Sequence, residues 1–427
     1  MLGKLLKYNR MKQRKKQEDV CRGICSVSYY SKIENNKIEP ADDVIDQLLE
    51  RLNLSRQEML EIDPAEVKTK LLNWHKAVIQ EDDKTAEREK QSAAEQVEFT
   101  EEKELKQLFQ YFQFREAAWK EEETRFHDLK KRLQQPLYDG ESEEVQFYAA
   151  KSRAVGAMYE EKYEEAREHL LHAFCCKEEL IIPRVELTDL YMLSGACGLE
   201  TGYYSASLDY LQRAVKAFDQ QYDLRQSGRG RVLLARAYRL VGKHSLTEDE
   251  LNKAESVSSQ TRNVRLQADV LQERGLMHAE QGRSMDAVHC FQQSYRLRSG
   301  RERLVTIHAI LQEFEAISST QDILSWVAHG FETIGKLRAV RPLSPFETKY
   351  ERRFHYYLLM YDEQSHGRFL QEMESVVLPF FKERKDWVSQ AFYLGKMGDY
   401  CLEEKADKDL AVRYYREAAD CLWKRVR

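Results

Sequence analysis

A spacing of 40 residues in the middle of the chain constrains the fold more than any other feature of the sequence. A small residue recurs at this spacing, in turn Gly195, Ala235 and Gly275, and each is followed seven positions later by a glycine. Nine residues beyond that glycine stands a large apolar residue, in turn Leu211, Leu251 and Phe291. A small residue lets two helices approach closely, and a glycine lets the first of them end in the left-handed conformation. The spacing therefore predicts a stack of helix pairs.

The repeated unit resembles the tetratricopeptide repeat, whose minimal length is about 34 residues. Looser copies lie around residues 154–173 and 410–418, and residues 301–385 are helical in pattern with a diverged repeat. Only 7 Pro and 18 Gly occur in 427 residues, so few helix breakers interrupt the chain. We predict an all-α protein in which residues 96–427 form an α-solenoid. Arrays of this kind bind peptides or protein surfaces.

Positive charge is concentrated at the N-terminus. The first 37 residues contain ten Lys or Arg and three acidic residues, whereas the whole chain has a net charge of −5. Lys and Arg bind nucleic acids by displacing counterions from the phosphates. The N-terminal segment is therefore expected to bind phosphate groups.

The pattern of the same segment predicts several short helices. They lie around residues 5–11, 17–24, 27–35 and 44–52, and Ser55 with Glu58 forms a capping box that opens a fifth. Two short helices joined by a tight turn are typical of the helix-turn-helix, whose second helix enters the major groove of DNA. Val20 and Ile33 are expected in its core. We predict that this bundle comprises residues 1–64.

Four stretches of this segment resemble the Xre/SinR-type helix-turn-helix family, namely Gln17-Glu18, Gly23-Ile24, Ser28 to Asn35, and Pro40. The resemblance implies that the Gln opening the second helix contacts a phosphate. It also implies that early residues of the third helix reach base edges or nearby phosphates. We therefore expect double-stranded operator DNA to be bound by Gln17, Ser28, Tyr29, Lys32, Asn35 and Lys37.

We call the helix-turn-helix bundle of residues 1–64 the head. A head of this kind followed by a long repeat array is similar to the RRNPP group of Gram-positive quorum-sensing receptors, which includes Rap, NprR and PlcR proteins. Residues 65–95 are polar and helix-prone and are predicted to form a linker helix between the two parts. The resemblance implies a homodimer or tetramer that binds a short signalling peptide in the repeat groove and operator DNA through its heads. The predicted function is a peptide-responsive transcriptional regulator.

In the tetratricopeptide frame, one side of the first helix of each pair faces the groove. The residues expected to bind the peptide on this basis are Tyr148, Lys151, Asp189, Arg229, Arg236, Arg239 and Gln272. The third unit is unusually basic, so Arg236 or Arg239 is a plausible partner for a carboxylate of the ligand.

Two alternatives stay open at this point. Rap proteins and NprR also bind response regulators, and Rap proteins remove phosphate from the receiver domain with a Gln on an N-terminal helical bundle. Gln110 and Gln113 lie in the corresponding part of this sequence. The second alternative is a phage arbitrium-type peptide receptor, which has a similar architecture.

The sequence contains no pattern typical of a catalytic site, and we expect no cofactor and no metal. Residues 330–336 match the spacing of a phosphate-binding P-loop, but Leu337 stands where Ser or Thr is needed to bind Mg²⁺. His169, His172 and Cys176 can share one helix face, but the segment is expected to be a repeat helix with the His residues on its solvent side rather than a metal site.

The cellular location is inferred from three observations. No apolar stretch follows the basic residues of the first 17, so we expect no signal peptide. No apolar run has the length of a membrane span, and the eight scattered cysteines fit reduced thiols. The expected location is the cytoplasm.

Overall fold

The computed structural model describes residues 2–56, 63–98, 100, 102–133, 142–177 and 180–426. Every regular element in these ranges is a helix, which confirms the predicted all-α class. The chain divides into two compact units. Unit 1 consists of Met1–Gly156 and Glu168–Glu186, and unit 2 of Ala157–Arg167 and Leu187–Arg427. No helix in the described part of the chain is both long and apolar enough to cross a membrane.

Unit 1 begins with four short helices and continues with longer ones. Its helices are α1 (Leu2–Lys12), α2 (Gln17–Cys21), α3 (Val27–Glu34), α4 (Asp42–Arg51), α5 (Pro64–Ile79), α6 (Asp83–Val97), α7 (Lys103–Trp119) and α8 (Glu123–Leu133). The next two helices have residues in both units, and they are α9 (Glu143–Tyr159) and α10 (Tyr163–Lys177).

The four N-terminal helices share one apolar core. Its buried side chains are Leu5, Leu6, Val20, Cys21, Tyr30, Ile33, Ile45, Leu48, Leu49 and Leu52. Val20 and Ile33 therefore have the core positions expected from the sequence. α3 is followed by Asn36 in the left-handed conformation, with φ of 52°. The fifth helix predicted from Ser55 and Glu58 falls largely outside the described residues.

The segment expected to be a single linker helix contains two helices. α5 and α6 are joined by a tight turn in which Glu81 has φ of 55°. The Asp82 side chain accepts a hydrogen bond from the backbone N–H of Thr85 at 3.2 Å and so begins α6. Leu71 and Trp74 of α5 are buried, and α5 also packs on α7. Because this hairpin buries apolar side chains, it belongs to the packed part of unit 1.

Unit 2 is built mainly from antiparallel helix pairs. Its helices are α11 (Arg184–Thr201), whose first three residues belong to unit 1, α12 (Tyr204–Gln220), α13 (Leu224–Leu240), α14 (His244–Thr261), α15 (Val264–Glu280), α16 (Ser284–Leu297), α17 (Glu302–Ala316), α18 (Thr320–Arg338), α19 (Pro345–Tyr361), α20 (Glu363–His366), α21 (Phe369–Glu372), α22 (Leu378–Glu383), α23 (Trp387–Glu403) and α24 (Lys408–Val426). The stack agrees with the predicted α-solenoid.

The repeated small residues act as the sequence predicts. A Cβ atom added to Gly195 would lie 2.5 Å from Cγ of Leu211, and one added to Gly275 would lie 2.4 Å from Cε1 of Phe291. These contacts are shorter than real Cβ contacts, so the helices of these two pairs pack too closely for a side chain at the glycine. The glycines that follow seven positions later have φ of 84°, 73° and 72°, and they are Gly202, Gly242 and Gly282.

The repeat becomes irregular after α19. The helical partner expected there is broken into α20, α21, a five-residue π-helix at Met373–Val377, and α22. Phe369, Met373, Val377 and Phe381 remain buried, so the broken segment still covers the apolar side of its neighbours. The 40-residue pattern is lost here because several short helices, rather than one continuous helix, supply the buried apolar side chains.

Candidate functional sites

The helix-turn-helix of unit 1 consists of α2, a turn and α3. Gly23 supplies the left-handed residue of the turn with φ of 78°. The Ser26 hydroxyl accepts a hydrogen bond from the backbone N–H of Tyr29 at 3.1 Å and so begins α3. The guanidinium of Arg51 donates to the backbone oxygens of Asp19 and Arg22, at 3.3 and 3.0 Å. α4 therefore holds the C-terminal end of α2 in place.

One face of α3 is polar and exposed. Ser28, Lys32 and Asn35 recur at helical spacing and are all exposed, while the opposite face buries Tyr30 and Ile33. Lys37 is exposed just beyond the helix, and Tyr29 is partly exposed. The described head therefore presents five of the six predicted DNA-binding residues on or directly after α3.

The sixth predicted residue, Gln17, has a partner inside the head. Its Nε2 atom donates to Oε2 of Glu34 at 2.7 Å. Glu34 is 1% exposed, and Nε of Arg10 also donates to its Oε1 at 2.6 Å. The hydrogen bond to Glu34 raises the pKa of Arg10, so the guanidinium stays charged. Gln17 thus helps to satisfy a buried carboxylate and orients α2 against α3.

Two of the residues predicted to bind the peptide are buried in unit 1. The Tyr148 ring packs edge-on against Phe112, with ring centroids 5.1 Å apart. Nζ of Lys151 donates to Oε2 of Glu186 at 2.6 Å and to the backbone oxygen of Glu186 at 3.2 Å. Both side chains are almost inaccessible to solvent. Both side chains therefore pack in the interior of unit 1.

Glu186 is the centre of this buried cluster. Its Oε1 atom lies 2.7 Å from Nδ1 of His75, whose ring stacks on Phe112 at a centroid distance of 4.0 Å. Burial opposes ionisation of Glu186, but His75 and Lys151 outweigh it and keep the pKa of Glu186 well below its usual range. Burial lowers the pKa of His75. A neutral His75 then donates its Nδ1–H to the carboxylate.

The predicted arginines of unit 2 are already engaged by carboxylates. Arg236 pairs with Glu200 at 2.9 Å, and Nε of Arg239 donates to Oε2 of Glu273 at 3.1 Å. Arg239 also pairs with Glu280. Each pair joins the first helix of one repeat to the first helix of the next, so the ion pairs link successive repeats.

The other predicted residues of unit 2 have less charged surroundings. Oε1 of Gln272 accepts a hydrogen bond from the Thr306 hydroxyl at 2.7 Å and is buried. Arg229 is partly exposed and donates to Oε1 of Gln226 at 3.4 Å. Asp189 is buried on α11. The predicted positions therefore lie mainly in contacts between repeats, with Arg229 and Arg236 the most exposed.

A cluster that the sequence did not indicate surrounds Tyr350 of α19. The guanidinium carbon of Arg353 lies 5.0 Å from the centroid of the Tyr350 ring, and the His308 ring lies 5.9 Å from it. Nζ of the adjacent Lys349 donates to Oε1 of Glu161 at 2.8 Å. We call Tyr163, His308, Lys349, Tyr350 and Arg353 the Tyr350 cluster. Its members come from residues 157–167, α17 and α19, where no repeat pattern marks the positions.

The described residues contain no group of three His, Cys, Asp or Glu placed to hold a metal ion. His172 and Cys176 approach each other, with Nε2 and Sγ 3.8 Å apart on α10. The stretch with P-loop spacing lies inside α18, one continuous helix, so it provides no loop of backbone N–H groups for a phosphate.

Comparison with known proteins gives a match for each part of the chain. Residues 6–59 match the family described as Helix-turn-helix (HTH_3). Transcriptional activator NprA of Geobacillus stearothermophilus is 25% identical over 411 residues, which are 92% of this chain and 96% of NprA.

Two solved structures share the fold. A Rap protein complexed with Competence and Sporulation Factor superimposes with a TM-score of 0.70 at 14% identity, covering 85% of this chain and 99% of that one. NprR in complex with its cognate peptide NprX gives a TM-score of 0.65 at 14% identity, covering 84% and 99%. These likenesses confirm the predicted resemblance: the chain carries a Helix-turn-helix domain and has the fold of Rap and NprR, members of the RRNPP group.

Proposed function

We propose that the protein is a transcriptional regulator that binds operator DNA through α3 and a short signalling peptide on the first helices of its repeats. The observation that carries the proposal is the similarity to a transcriptional activator over 92% of the chain, head and repeats together. The exposed polar face of α3 supports the DNA-binding part. The complex of NprR with its cognate peptide supports the peptide-binding part.

On the DNA, Lys32 and Lys37 would neutralise phosphates while Ser28, Tyr29 and Asn35 reach base edges or sugars. Gln17 would act on DNA binding indirectly, because its hydrogen bond to Glu34 fixes the position of α2. A homodimer or tetramer would place two heads on half-sites about 34–36 Å apart, or on multiples of that distance. No cofactor is needed for this function.

In the repeats, Arg229 and Arg236 are the predicted residues best placed to meet a peptide, because they are the most exposed of the set. Arg239 and Gln272 would position neighbouring repeats through their contacts with Glu273 and Thr306. The peptide acts on DNA binding only if it binds two arrangements of the protein with different affinity.

The test is selection of DNA fragments from a random library by the full-length protein, followed by affinity measurement at two salt concentrations. Wild type should enrich a palindromic site, and Ser28→Ala with Asn35→Ala should lose preference for that site. Enrichment of no sequence, with equal weak binding to all fragments, would contradict the DNA-binding part.

A second function, removal of phosphate from a response regulator, rests on Gln110 and Gln113 of α7. Gln110 is exposed and Gln113 is partly exposed, so both are accessible to a protein partner. If this function holds, the protein should accelerate loss of phosphate from a phosphorylated receiver domain, and Gln110→Ala or Gln113→Ala should abolish the acceleration. Unchanged dephosphorylation by wild type would exclude it for that receiver.

A further inference from the structure

We propose that Arg353 is the residue that binds a carboxylate of the peptide, either its C-terminus or an Asp or Glu side chain. The inference rests on the proposed peptide-binding function and names the chemistry of that site. It replaces the sequence-based expectation that Arg236 or Arg239 has this role.

The carboxylates of the chain already occupy the two arginines expected from the sequence. Arg236 is paired with Glu200, and Arg239 is paired with both Glu273 and Glu280. A ligand carboxylate at either position would have to displace an existing partner and leave that acid without a cation. Such an exchange gains little, because one charge-assisted pair is lost for each one formed.

Arg353 differs because no carboxylate of the described residues pairs with it. Its guanidinium lies over the face of Tyr350 at 5.0 Å, and the side chain is only partly exposed. Stacking on an aromatic ring fixes the plane of a guanidinium and leaves its N–H edge available. A carboxylate can accept two parallel hydrogen bonds from that edge. The structure thus holds an oriented bidentate donor with no acid bound to it.

The surroundings of Arg353 favour an anion. Lys349 is the adjacent cation on α19, and the one acid that it contacts, Glu161, balances only that charge. Burial lowers the pKa of His308 well below its usual range, and the positive charges of Arg353 and Lys349 lower it further. His308 is therefore neutral at pH 7 and adds no charge beside Tyr350.

Tyr163 connects this cluster to the predicted peptide site. It interacts electrostatically with Glu200, Arg236 and Tyr350. Burial raises the pKa of Tyr163, so its phenol remains protonated and able to donate a hydrogen bond. Tyr163, Arg236 and Arg353 all belong to unit 2.

The experiment begins with affinity selection of heptapeptides with free C-termini from a random library by the full-length protein. Selected peptides are resynthesised and their Kd is measured with wild type, Arg353→Lys and Arg353→Ala. Arg413→Ala is the matched control, because Arg413 lies over Tyr414 at 5.8 Å but is exposed and paired with Glu417. Circular dichroism and the thermal midpoint establish that each variant is folded.

We expect Arg353→Ala to weaken binding about tenfold to a hundredfold, as expected for loss of charge-assisted hydrogen bonds. Arg353→Lys should lie between that value and wild type, and Arg413→Ala should match wild type. Amidation of the peptide C-terminus tests one source of the carboxylate, and replacement of each Asp or Glu by Asn or Gln tests the other. The change that removes the bound carboxylate should weaken binding to wild type and have no further effect on Arg353→Ala.

Two results would overturn the proposal, and they are distinguishable. If peptides are selected but bind wild type and Arg353→Ala with equal affinity, the role of Arg353 is wrong and the proposed function stands. If wild type selects no peptide, both the role of Arg353 and the proposed peptide-binding function are wrong.

Discussion

Buried carboxylates determine much of the charge pattern of unit 1 at the scale of single residues. Glu34 and Glu186 are each 1% exposed, and each accepts hydrogen bonds from a cation and a second side chain. A buried charge that loses its partner costs far more than a surface pair contributes. Residues such as Lys151 are therefore structural, even though their positions in the repeat suggest contact with a ligand.

Replacement of Lys151 by Met should lower the free energy of unfolding of unit 1 by about 3 kcal/mol, because Glu186 keeps only His75 as a partner. The measurement is urea unfolding at pH 7, followed by circular dichroism. Lys162→Met is the control, since Lys162 is an exposed partner of Glu160 and its loss should cost under about 0.5 kcal/mol. Unchanged stability with weakened peptide binding would show instead that Lys151 contacts the ligand.

Replacement of Lys32 by Ala should weaken operator binding about tenfold or more and lower the slope of affinity against salt concentration by about one ion. The reason is the loss of a phosphate contact from the exposed face of α3. Fluorescence anisotropy at several salt concentrations measures both quantities. Lys336→Ala, on the exposed face of α18, should change neither. Equal effects of the two substitutions would contradict an interface on α3.

The sequence predicted individual core residues better than individual ligand contacts. The burial of Val20 and Ile33 was predictable because an apolar side chain in a periodic pattern is expected to face the core. The ion pairs of Arg239 were not predictable, because its partners Glu273 and Glu280 lie 34 and 41 residues away in a neighbouring repeat. Arg353 could not be proposed from the sequence, because residues 301–385 have no clear repeat frame.

At the scale of helices, the 40-residue period describes how pairs pack. The small residue of the first helix faces the large apolar residue of the second, as in Gly275 and Phe291. Patterns of this kind predicted the helix pairs of the array. They did not predict the break after α19, nor the α5–α6 hairpin, because both depend on tertiary packing of polar-looking segments.

Replacement of Gly275 by Ala should destabilise unit 2 by about 1–3 kcal/mol, because the new methyl group overlaps the Phe291 ring. Gly335→Ala is the control on an exposed helical position, with no atom within 4 Å of the added Cβ. There the exchange should be neutral or stabilising by up to about 1 kcal/mol. Thermal unfolding of the two variants measures the difference, and equal midpoints would contradict close packing at Gly275.

Glu66 connects the head to the helices that follow it. It accepts hydrogen bonds from Lys12 of α1 and Gln96 of α6, and Gln96 also donates to the Tyr8 hydroxyl. Burial opposes its ionisation, but hydrogen bonds from Lys70, Gln96 and Lys12 outweigh burial and lower the pKa of Glu66 to about 2. The carboxylate thus stabilises the folded head against α5 and α6.

The stabilisation by Glu66 should be fully present above pH 4.5, the ordinary pKa of the group, and should be lost as the pH falls towards 2. Glu66→Gln should cost about 1 kcal/mol at pH 7, a value reduced for solvent screening of a side chain that is 31% exposed. The difference from wild type should shrink steadily below pH 4.5. Thermal midpoints between pH 7 and 3 measure it, and a difference that grows on acidification would contradict the assignment.

For the whole molecule, the head and the repeats suggest one activity with two ligands. DNA binding is expected from the basic N-terminus, while peptide binding is expected from the polar faces of the repeats. The fold class and the order of head and array were predictable, since each has its own periodicity. The boundaries at residues 64 and 95 remain a prediction, because unit 1 includes the head together with α5 to α8.

The central claim is that one chain couples peptide binding to DNA binding. The most direct measurement is the affinity of the full-length protein for its selected operator, with and without a saturating selected heptapeptide. We predict that the peptide changes operator affinity at least about fivefold, and that the Arg353→Ala variant needs a higher peptide concentration for the same change. Operator affinity that is identical with and without bound peptide would contradict the claim.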